Sequence, residues 1–232
     1  METPLQSKHA LRAHILPFMA WIVIMSVPLG DPAVRYAVQA LVCGALLVWL
    51  KPWGFYPRIK IRQLPLALAV GAGVCVLWVL PESPWMFNFT YAHDLYLKFG
   101  VRPLGVITGS EATSPYAPEQ CGWGLALMKL AGSALVIATA EEFFWRGFLY
   151  RWLIARDFLR VDPARVHQGF FILTALLFGM EHDRWLAGTA AGLAYGWLYT
   201  RTGDLWSAVF AHVVTNFLLG LYVLATASYF FW

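Results

Sequence analysis

The sequence predicts an all-α fold, a polytopic transmembrane helical bundle of about seven or eight spans. Of its 232 residues, 59% are hydrophobic and 13% are charged, whereas soluble domains average about 25% charged residues. The apolar residues form continuous runs and do not alternate with polar ones, as the strands of a transmembrane β-barrel would require. These two observations place the chain among helical membrane proteins.

Three apolar segments are predicted in the first third of the chain, at 13–30, 34–50 and 64–80. A helix that crosses the hydrocarbon core needs about 20 mostly apolar residues, so the second and third segments are short spans. The stretch 82–120 then forms a long outer connection. Within it, 85–99 is aromatic and mildly polar, which fits an interfacial helix, a re-entrant helix or an additional span. The Gly-, Pro-, Ser- and Thr-rich stretch 105–124 is predicted to be a loop.

Four further segments follow. The fourth begins near Gly122 or Lys129 and ends near Ile154, and the others are 169–182, 185–199 and 205–232. The sixth is rich in Gly and Ala, as closely packed membrane helices require. No composition shift marks a domain boundary. We therefore expect a single integral membrane domain over 1–232, with a motif-bearing core at about 122–220.

The basic residues are concentrated in alternate loops. The net charge is +4 and the pI is about 9.0, which in a soluble protein would suggest nucleic-acid binding. Here the basic loops at 51–62 and 151–165 would lie on one side of the bilayer together with Lys8 and Arg12, as the positive-inside rule predicts. This pattern indicates a multi-pass protein of a bacterial inner membrane, with a cytoplasmic N-terminus and the lipid bilayer as its environment, and no nucleic-acid partner.

The three cysteines, Cys43, Cys75 and Cys121, are isolated in the sequence. No CxxC or other ligand spacing is present, so the sequence predicts neither a disulfide framework nor a cysteine-based zinc site.

The fourth segment carries adjacent carboxylates, Glu141 and Glu142, and an arginine, Arg146. Each such group costs about 2.5–3.5 kcal/mol at the centre of a membrane helix. Glu142 and Arg146 are four residues apart and can pair on one helix face. Glu141 is rotated by about 100° and would be free to face a cavity. A purely structural ion cluster is the alternative.

Two later segments supply further polar groups. His182 ends the fifth segment, four residues after Phe178, and His212 and Asn216 share a face of the last segment. A desolvated carboxylate can act as a general base on water, and an imidazole and a carboxamide can stabilise an oxyanion. The same groups would also suit interhelical hydrogen bonding, a proton relay, or zinc coordination by Glu141, His182 and His212.

The order and spacing of these residues resemble a known family. Glu141-Glu142-x-x-x-Arg146, Phe178-x-x-x-His182 and His212-x-x-x-Asn216, placed in three separate apolar segments, are similar to the motifs of the CPBP family of CAAX prenyl proteases and bacteriocin-processing enzymes, also called Abi. The resemblance covers about 129–220. Within the family, the chain looks like the CAAX-protease-related branch that accompanies bacterial exosortase systems.

The resemblance implies an intramembrane endopeptidase that hydrolyses a peptide bond in a membrane-associated or lipidated protein. The roles it implies are general base for Glu141, water positioning for His182, orientation and charge balance for Glu142 and Arg146, and oxyanion stabilisation for His212 and Asn216. It also favours a glutamate-based mechanism without a cofactor, with zinc as the alternative. Two other functions fit the residues: a proton-coupled transporter, and a non-catalytic scaffold or immunity protein on the same fold.

Overall fold

The computed structural model describes residues 4–27, 30–101 and 114–232, and it confirms the all-α prediction. Within these ranges the regular structure is entirely helical. The eight main helices are α1 Pro4–Ser26, α2 Pro32–Leu50, α3 Leu64–Val79, α4 Thr90–Phe99, α5 Pro118–Ile154, α6 Gln168–Met180, α7 Trp185–Thr202 and α8 Leu205–Thr226.

Five of these helices are long and apolar enough to cross a membrane, namely α1, α2, α3, α5 and α8. The chain is therefore an integral membrane protein. The helix α6 has 13 residues, which at 1.5 Å per residue corresponds to about 20 Å, less than the hydrocarbon core of about 30 Å. The predicted count of seven spans depends on α6 and α7 and stays a prediction.

Local signals explain where several helices begin. Asp31 precedes α2, and its Oδ1 accepts hydrogen bonds from the amides of Ala33 (2.9 Å) and Val34 (3.0 Å). Asp204 accepts in the same way from the amide of Trp206 at the start of α8. These carboxylates satisfy amides that have no partner within the first helical turn.

The helices α6 and α7 form a closely packed antiparallel hairpin. A Cβ placed on Gly192 would lie only 3.0 Å from the Cα and the carbonyl oxygen of Ala175, so a larger residue would separate the two helices. This close approach agrees with the packing predicted for the Gly- and Ala-rich sixth segment.

The long helix α5 is irregular in three places. Gly122 adopts a φ of 79° near its start, a conformation that glycine tolerates without a Cβ clash. Gly132–Ile137 and Phe143–Leu149 are π-helical turns, and turns of this kind are frequent at functional sites. The stretch that carries Glu141 and Glu142 lies between these two π turns.

The structure differs from three of the sequence predictions, those for the segments 85–99, 105–124 and 13–30. The segment 85–99 contains a short 3₁₀ helix, Met86–Phe89, followed by the ten-residue α4, which at about 15 Å is too short to cross the bilayer. The predicted loop at 105–124 is wrong at its end, because helix α5 begins at Pro118, a favoured first-turn residue; residues 105–113 lie outside the described ranges. The helix α1 ends at Ser26, and residues 28–29 of its predicted segment are also outside them.

The helix ends form two opposite faces of the bundle. On the face that carries the basic loops, the amide of Lys60 donates to Asp204 Oδ2 at 3.1 Å, which joins the α2–α3 connection to the start of α8. On the opposite face, Trp185 Nε1 donates to the carbonyl oxygen of Phe99 at 2.6 Å, so the short helix α4 is attached to the α6–α7 turn.

A two-pronged ion pair also holds the α6–α7 turn on this second face. Arg184 Nε and Nη2 donate to Glu82 Oε1 and Oε2 at 2.6 and 3.0 Å, and both side chains are 10% exposed. The pair connects the end of α3 to the turn that carries His182. A bidentate geometry of this kind is stronger than a single charged contact.

We expect Glu82→Gln to lower the free energy of unfolding by about 3 kcal/mol, because it leaves Arg184 largely buried without its anion. Reversible unfolding in detergent measures this loss. Asp157→Asn is the matched control, since it breaks an exposed pair with Arg160 and should cost less than about 1 kcal/mol. Equal losses in the two variants would contradict a special role for the Glu82–Arg184 pair.

Candidate active site

The Glu142 carboxylate is the centre of a buried ionic cluster. It is fully buried, and its Oε1 accepts from Arg146 Nη1 at 2.8 Å and lies 3.0 Å from His212 Nδ1. The pairing expected from the four-residue spacing is present. One oxygen therefore holds side chains from two different helices, α5 and α8.

Arg146 connects this cluster to α7. Its Nη2 donates to the carbonyl oxygen of Gly192 at 3.0 Å, and its guanidinium lies over the ring of Phe178 at 4.5 Å from the centroid. A cation held by an anion, a carbonyl and an aromatic face is well compensated for its burial. Through these contacts Arg146 positions Glu142 relative to α7. Its side chain does not line the cavity described below.

Glu141 has a different environment from its neighbour. It is 5% exposed, and its Oε2 has no hydrogen-bond partner among the described residues. The His212 ring lies nearby, with its Nε2 atom 3.7 Å from Glu141 Oε2, which is beyond hydrogen-bond distance. An unsatisfied buried carboxylate oxygen is costly and is a place to look for function.

The tautomer of His212 follows from its two neighbours. Because Nδ1 lies at hydrogen-bond distance from the Glu142 carboxylate, Nδ1 carries a proton. The opposite nitrogen, Nε2, faces Glu141. The ring also stacks on Tyr195, with centroids 4.8 Å apart, and this stacking fixes its plane.

His182 was predicted to end the fifth segment, but it lies in the turn after α6, two residues beyond the helix end at Met180. Its Nδ1 donates to the carbonyl oxygen of Phe178 at 2.8 Å, and its ring packs edge-on against Trp78. Burial lowers the pKa of His182 to about 4, so the imidazole is neutral near pH 7. With Nδ1 protonated, Nε2 is left as an acceptor.

Asn216 reaches across to the first π turn of α5. Its Nδ2 donates to the carbonyl oxygen of Ser133 at 2.9 Å. The Ser133 carbonyl also accepts from the amide of Ala138, five residues later, as the π turn requires. One of the two amide hydrogens of Asn216 therefore remains for another acceptor.

A cavity of about 420 Å³ brings four of the six predicted site residues together. Glu141, His182, His212 and Asn216 line it, whereas Glu142 and Arg146 lie behind its wall. Aromatic residues from the first half of the chain, Trp21, Tyr36 and Trp78, and residues 231–232 complete the lining. The cavity thus extends from Glu141 towards the bundle face opposite the basic loops.

The sequence analysis did not single out Glu181 and Asp183, two further acidic residues that line the cavity. Glu181 lines it beside His182, and its Oε2 accepts from Trp145 Nε1 at 3.2 Å. Burial raises the pKa of Glu181 to about 7, although the Trp145 hydrogen bond opposes this shift. The only sequence signal was its position beside His182 in the same motif.

The zinc alternative would require Glu141, His182 and His212 to bind one ion. In the described part of the chain, no three His, Cys, Asp or Glu residues form a group that could hold a metal ion. The Nδ1 atom of His212 contacts Glu142.

One comparison with known proteins gives a match. The family model described as "Type II CAAX prenyl endopeptidase Rce1-like" matches residues 123–218, a range that includes all six predicted site residues. No curated protein and no solved structure matches the chain. The family match supports a CAAX-type membrane protease, which is a hydrolase, and it confirms the resemblance seen in the sequence motifs. The segment 123–218 is therefore similar to the Rce1-like type II CAAX prenyl endopeptidases.

Proposed function

We propose that this protein is an intramembrane endopeptidase that hydrolyses a peptide bond of a membrane-associated or lipidated protein, including prenylated proteins as its family description suggests. The observation that carries the proposal is the contrast between two adjacent carboxylates. Oε2 of each glutamate lacks a hydrogen-bond partner among the described residues, but Oε1 of Glu142 is held by Arg146 and His212. Glu141, in contrast, lines a cavity that His182 and Asn216 also line.

In the proposed reaction, Glu141 removes a proton from a water molecule while the water oxygen attacks the scissile carbonyl carbon. His182 Nε2 accepts a hydrogen bond from the same water and orients it. The proton held by Glu141 is then delivered to the leaving amine as the C–N bond breaks. The acyl product gains the OH of the water, the amine product gains its H, and Glu141 returns to its carboxylate form.

The developing oxyanion would be stabilised by His212 and Asn216. Since Nδ1 of His212 already donates to Glu142, donation from Nε2 requires the cationic imidazole. The remaining amide hydrogen of Asn216 would be the second donor. Donors fixed in advance in a dry site commonly contribute factors of about 10²–10³ to the rate.

We propose that this mechanism uses no metal ion.

We also propose that the catalytic core at about 122–220 forms part of one domain over 1–232. Trp21, Tyr36 and Trp78, which lie outside this core, line the same cavity. This shared lining supports a single domain, because the first three helices help to shape the site.

We also propose a bacterial inner-membrane location with the N-terminus in the cytoplasm. The basic loops at the ends of α2 and α5 lie on the N-terminal face of the bundle, which favours a cytoplasmic position for that face. The cavity approaches the opposite face, near Met25 and Pro32. Cleavage would therefore take place towards the non-cytoplasmic side of the membrane.

Glu141→Ala and His182→Ala are each expected to abolish cleavage, since one removes the base and the other the water-positioning group. Appearance of new peptide termini in reconstituted protein measures the activity. Glu119→Ala and His93→Ala make the same substitutions outside the cavity and should retain activity. Folded Glu141→Ala or His182→Ala protein that cleaves normally would contradict the assignment.

Removal of metal ions is expected to leave the activity unchanged within about twofold. Protein dialysed against a chelator and analysed for bound zinc should cleave as well as untreated protein. A loss of activity that added zinc restores would overturn the metal-free mechanism and revive the zinc alternative.

Cysteine accessibility tests the orientation. In a Cys121→Ser background, Asp94→Cys should react with a membrane-impermeant maleimide in intact spheroplasts, and Asp157→Cys should react only after lysis. Both positions are exposed, on opposite faces of the bundle. The reverse labelling pattern would show that the cavity opens towards the cytoplasm.

A further inference from the structure

Residues 228–232 fold back along α8 towards the cavity. Helix α8 ends at Thr226, and Ala227 after it adopts a φ of 54°, a left-handed conformation that residues with a Cβ rarely adopt. The chain reverses at this point. The indole of Trp232 would lie 3.7 Å from a Cβ placed on Gly220, which is about 10 Å before Ala227 along the helix. The segment therefore packs against its own helix and does not extend away from the bundle.

Two aromatic side chains of this segment form part of the cavity wall. Phe231 and Trp232 line the cavity, as do Met25 and Pro32 at its outer end and Lys129 of α5. Both aromatic side chains are half-buried, because one side of each faces the protein and the other the open space. A peptide that enters from the outer face has to pass these two rings.

One arginine attaches the segment to the α6–α7 turn. The Arg184 guanidinium lies 5.5 Å from the centroid of the Phe230 ring and 4.5 Å from that of Phe231, within the range of cation–π attraction. The same guanidinium forms the two-pronged ion pair with Glu82. The segment is therefore attached to the turn that carries His182, directly beside the proposed catalytic site.

The other contacts that hold the segment are weak. Tyr229 Oη donates to Glu119 Oε2 at 3.3 Å in an exposed position, and the Phe231 ring centroid lies 6.1 Å from that of Tyr222. Among the described residues, no backbone hydrogen bond joins 228–232 to another part of the chain. Segments with few buried contacts and no backbone hydrogen bonds to their surroundings open at a low cost in free energy.

We propose that residues 228–232 form a gate over the outer end of the cavity, that Arg184 holds this gate closed through Phe230 and Phe231, and that the chain turns at Ala227 when the gate opens. A closed gate keeps the site covered until a peptide displaces the aromatic side chains, as lids do in other enzymes. The inference rests on the proposed peptidase function and adds control of access to the same site.

Thiol labelling inside the cavity tests the gate without requiring cleavage. Leu219 lines the cavity, so Leu219→Cys in a Cys121→Ser background places a reporter there. The two remaining cysteines, Cys43 and Cys75, are buried. A water-soluble maleimide reacts with the reporter while the cavity is open to water. The labelling rate in phosphatidylcholine nanodiscs therefore measures how often the gate is open.

Phe231→Ala should raise the labelling rate about 2- to 30-fold, the range expected for loss of a cation–π contact. Tyr229→Phe removes only the hydrogen bond to Glu119 and should raise the rate about twofold. Phe217→Ala is the matched control, because Phe217 is exposed on α8 and does not line the cavity. Its labelling rate should equal that of the parent protein.

Two labelling results would overturn the inference. Equal rates for Phe231→Ala, Phe217→Ala and the parent protein would show that the cavity is open without movement of the segment. Faster labelling of Cys43 and Cys75 in the Phe231→Ala protein would show that the segment only stabilises the bundle.

A cross-link that holds the gate closed tests the consequence for cleavage. A bismaleimide that joins Glu119→Cys to Tyr229→Cys, in the Cys121→Ser background, should abolish cleavage, whereas each single cysteine variant treated with the same reagent should remain active. Cleavage by the cross-linked protein would contradict the gate. If Phe231→Ala labels faster but no form of the protein cleaves a peptide, only the proposed function fails. If peptides are cleaved while the labelling rate does not depend on Phe231, only this inference fails.

Discussion

One carboxylate oxygen, Oε1 of Glu142, holds the candidate site together. It contacts Arg146 in the same helix and His212 in α8, and Arg146 in turn donates to Gly192 in α7. A buried ion pair is weak evidence for stability, because desolvation offsets much of its attraction. Its effect here is geometric, since it fixes the relative positions of three helices and the ring orientation of His212.

This arrangement also makes two neighbouring glutamates chemically different. Both carboxylates have one oxygen without a hydrogen-bond partner in the described structure. Glu142 has a guanidinium and an imidazole at its other oxygen, whereas Glu141 lines the cavity. The π turns on either side of the pair change the helical register before and after it. The first of them also supplies the Ser133 carbonyl that positions Asn216. The irregular helical geometry and the proposed reactive group therefore occur in the same part of α5.

Much of the fold and part of the site could be predicted from sequence, because these features depend on local spacing. The apolar runs predicted the helices, and the four-residue interval predicted the pairing of Glu142 with Arg146. The positions of Lys129 and Glu181 in the cavity depend on how separate helices pack, which no local pattern records. The beginning of α5 was missed because Gly122 resembles a loop residue. Its φ of 79° does interrupt the helix, but a short helical stretch from Pro118 precedes it.

The most direct test of this account compares Glu141→Gln with Glu142→Gln, measuring both turnover and the thermal midpoint of unfolding for each purified protein. The account predicts that Glu141→Gln loses turnover without losing stability, because the variant removes an unsatisfied charge. Glu142→Gln should lower the midpoint, because Arg146 and His212 lose their shared anion. A stable Glu142→Gln protein beside a destabilised, active Glu141→Gln protein would contradict the assigned roles.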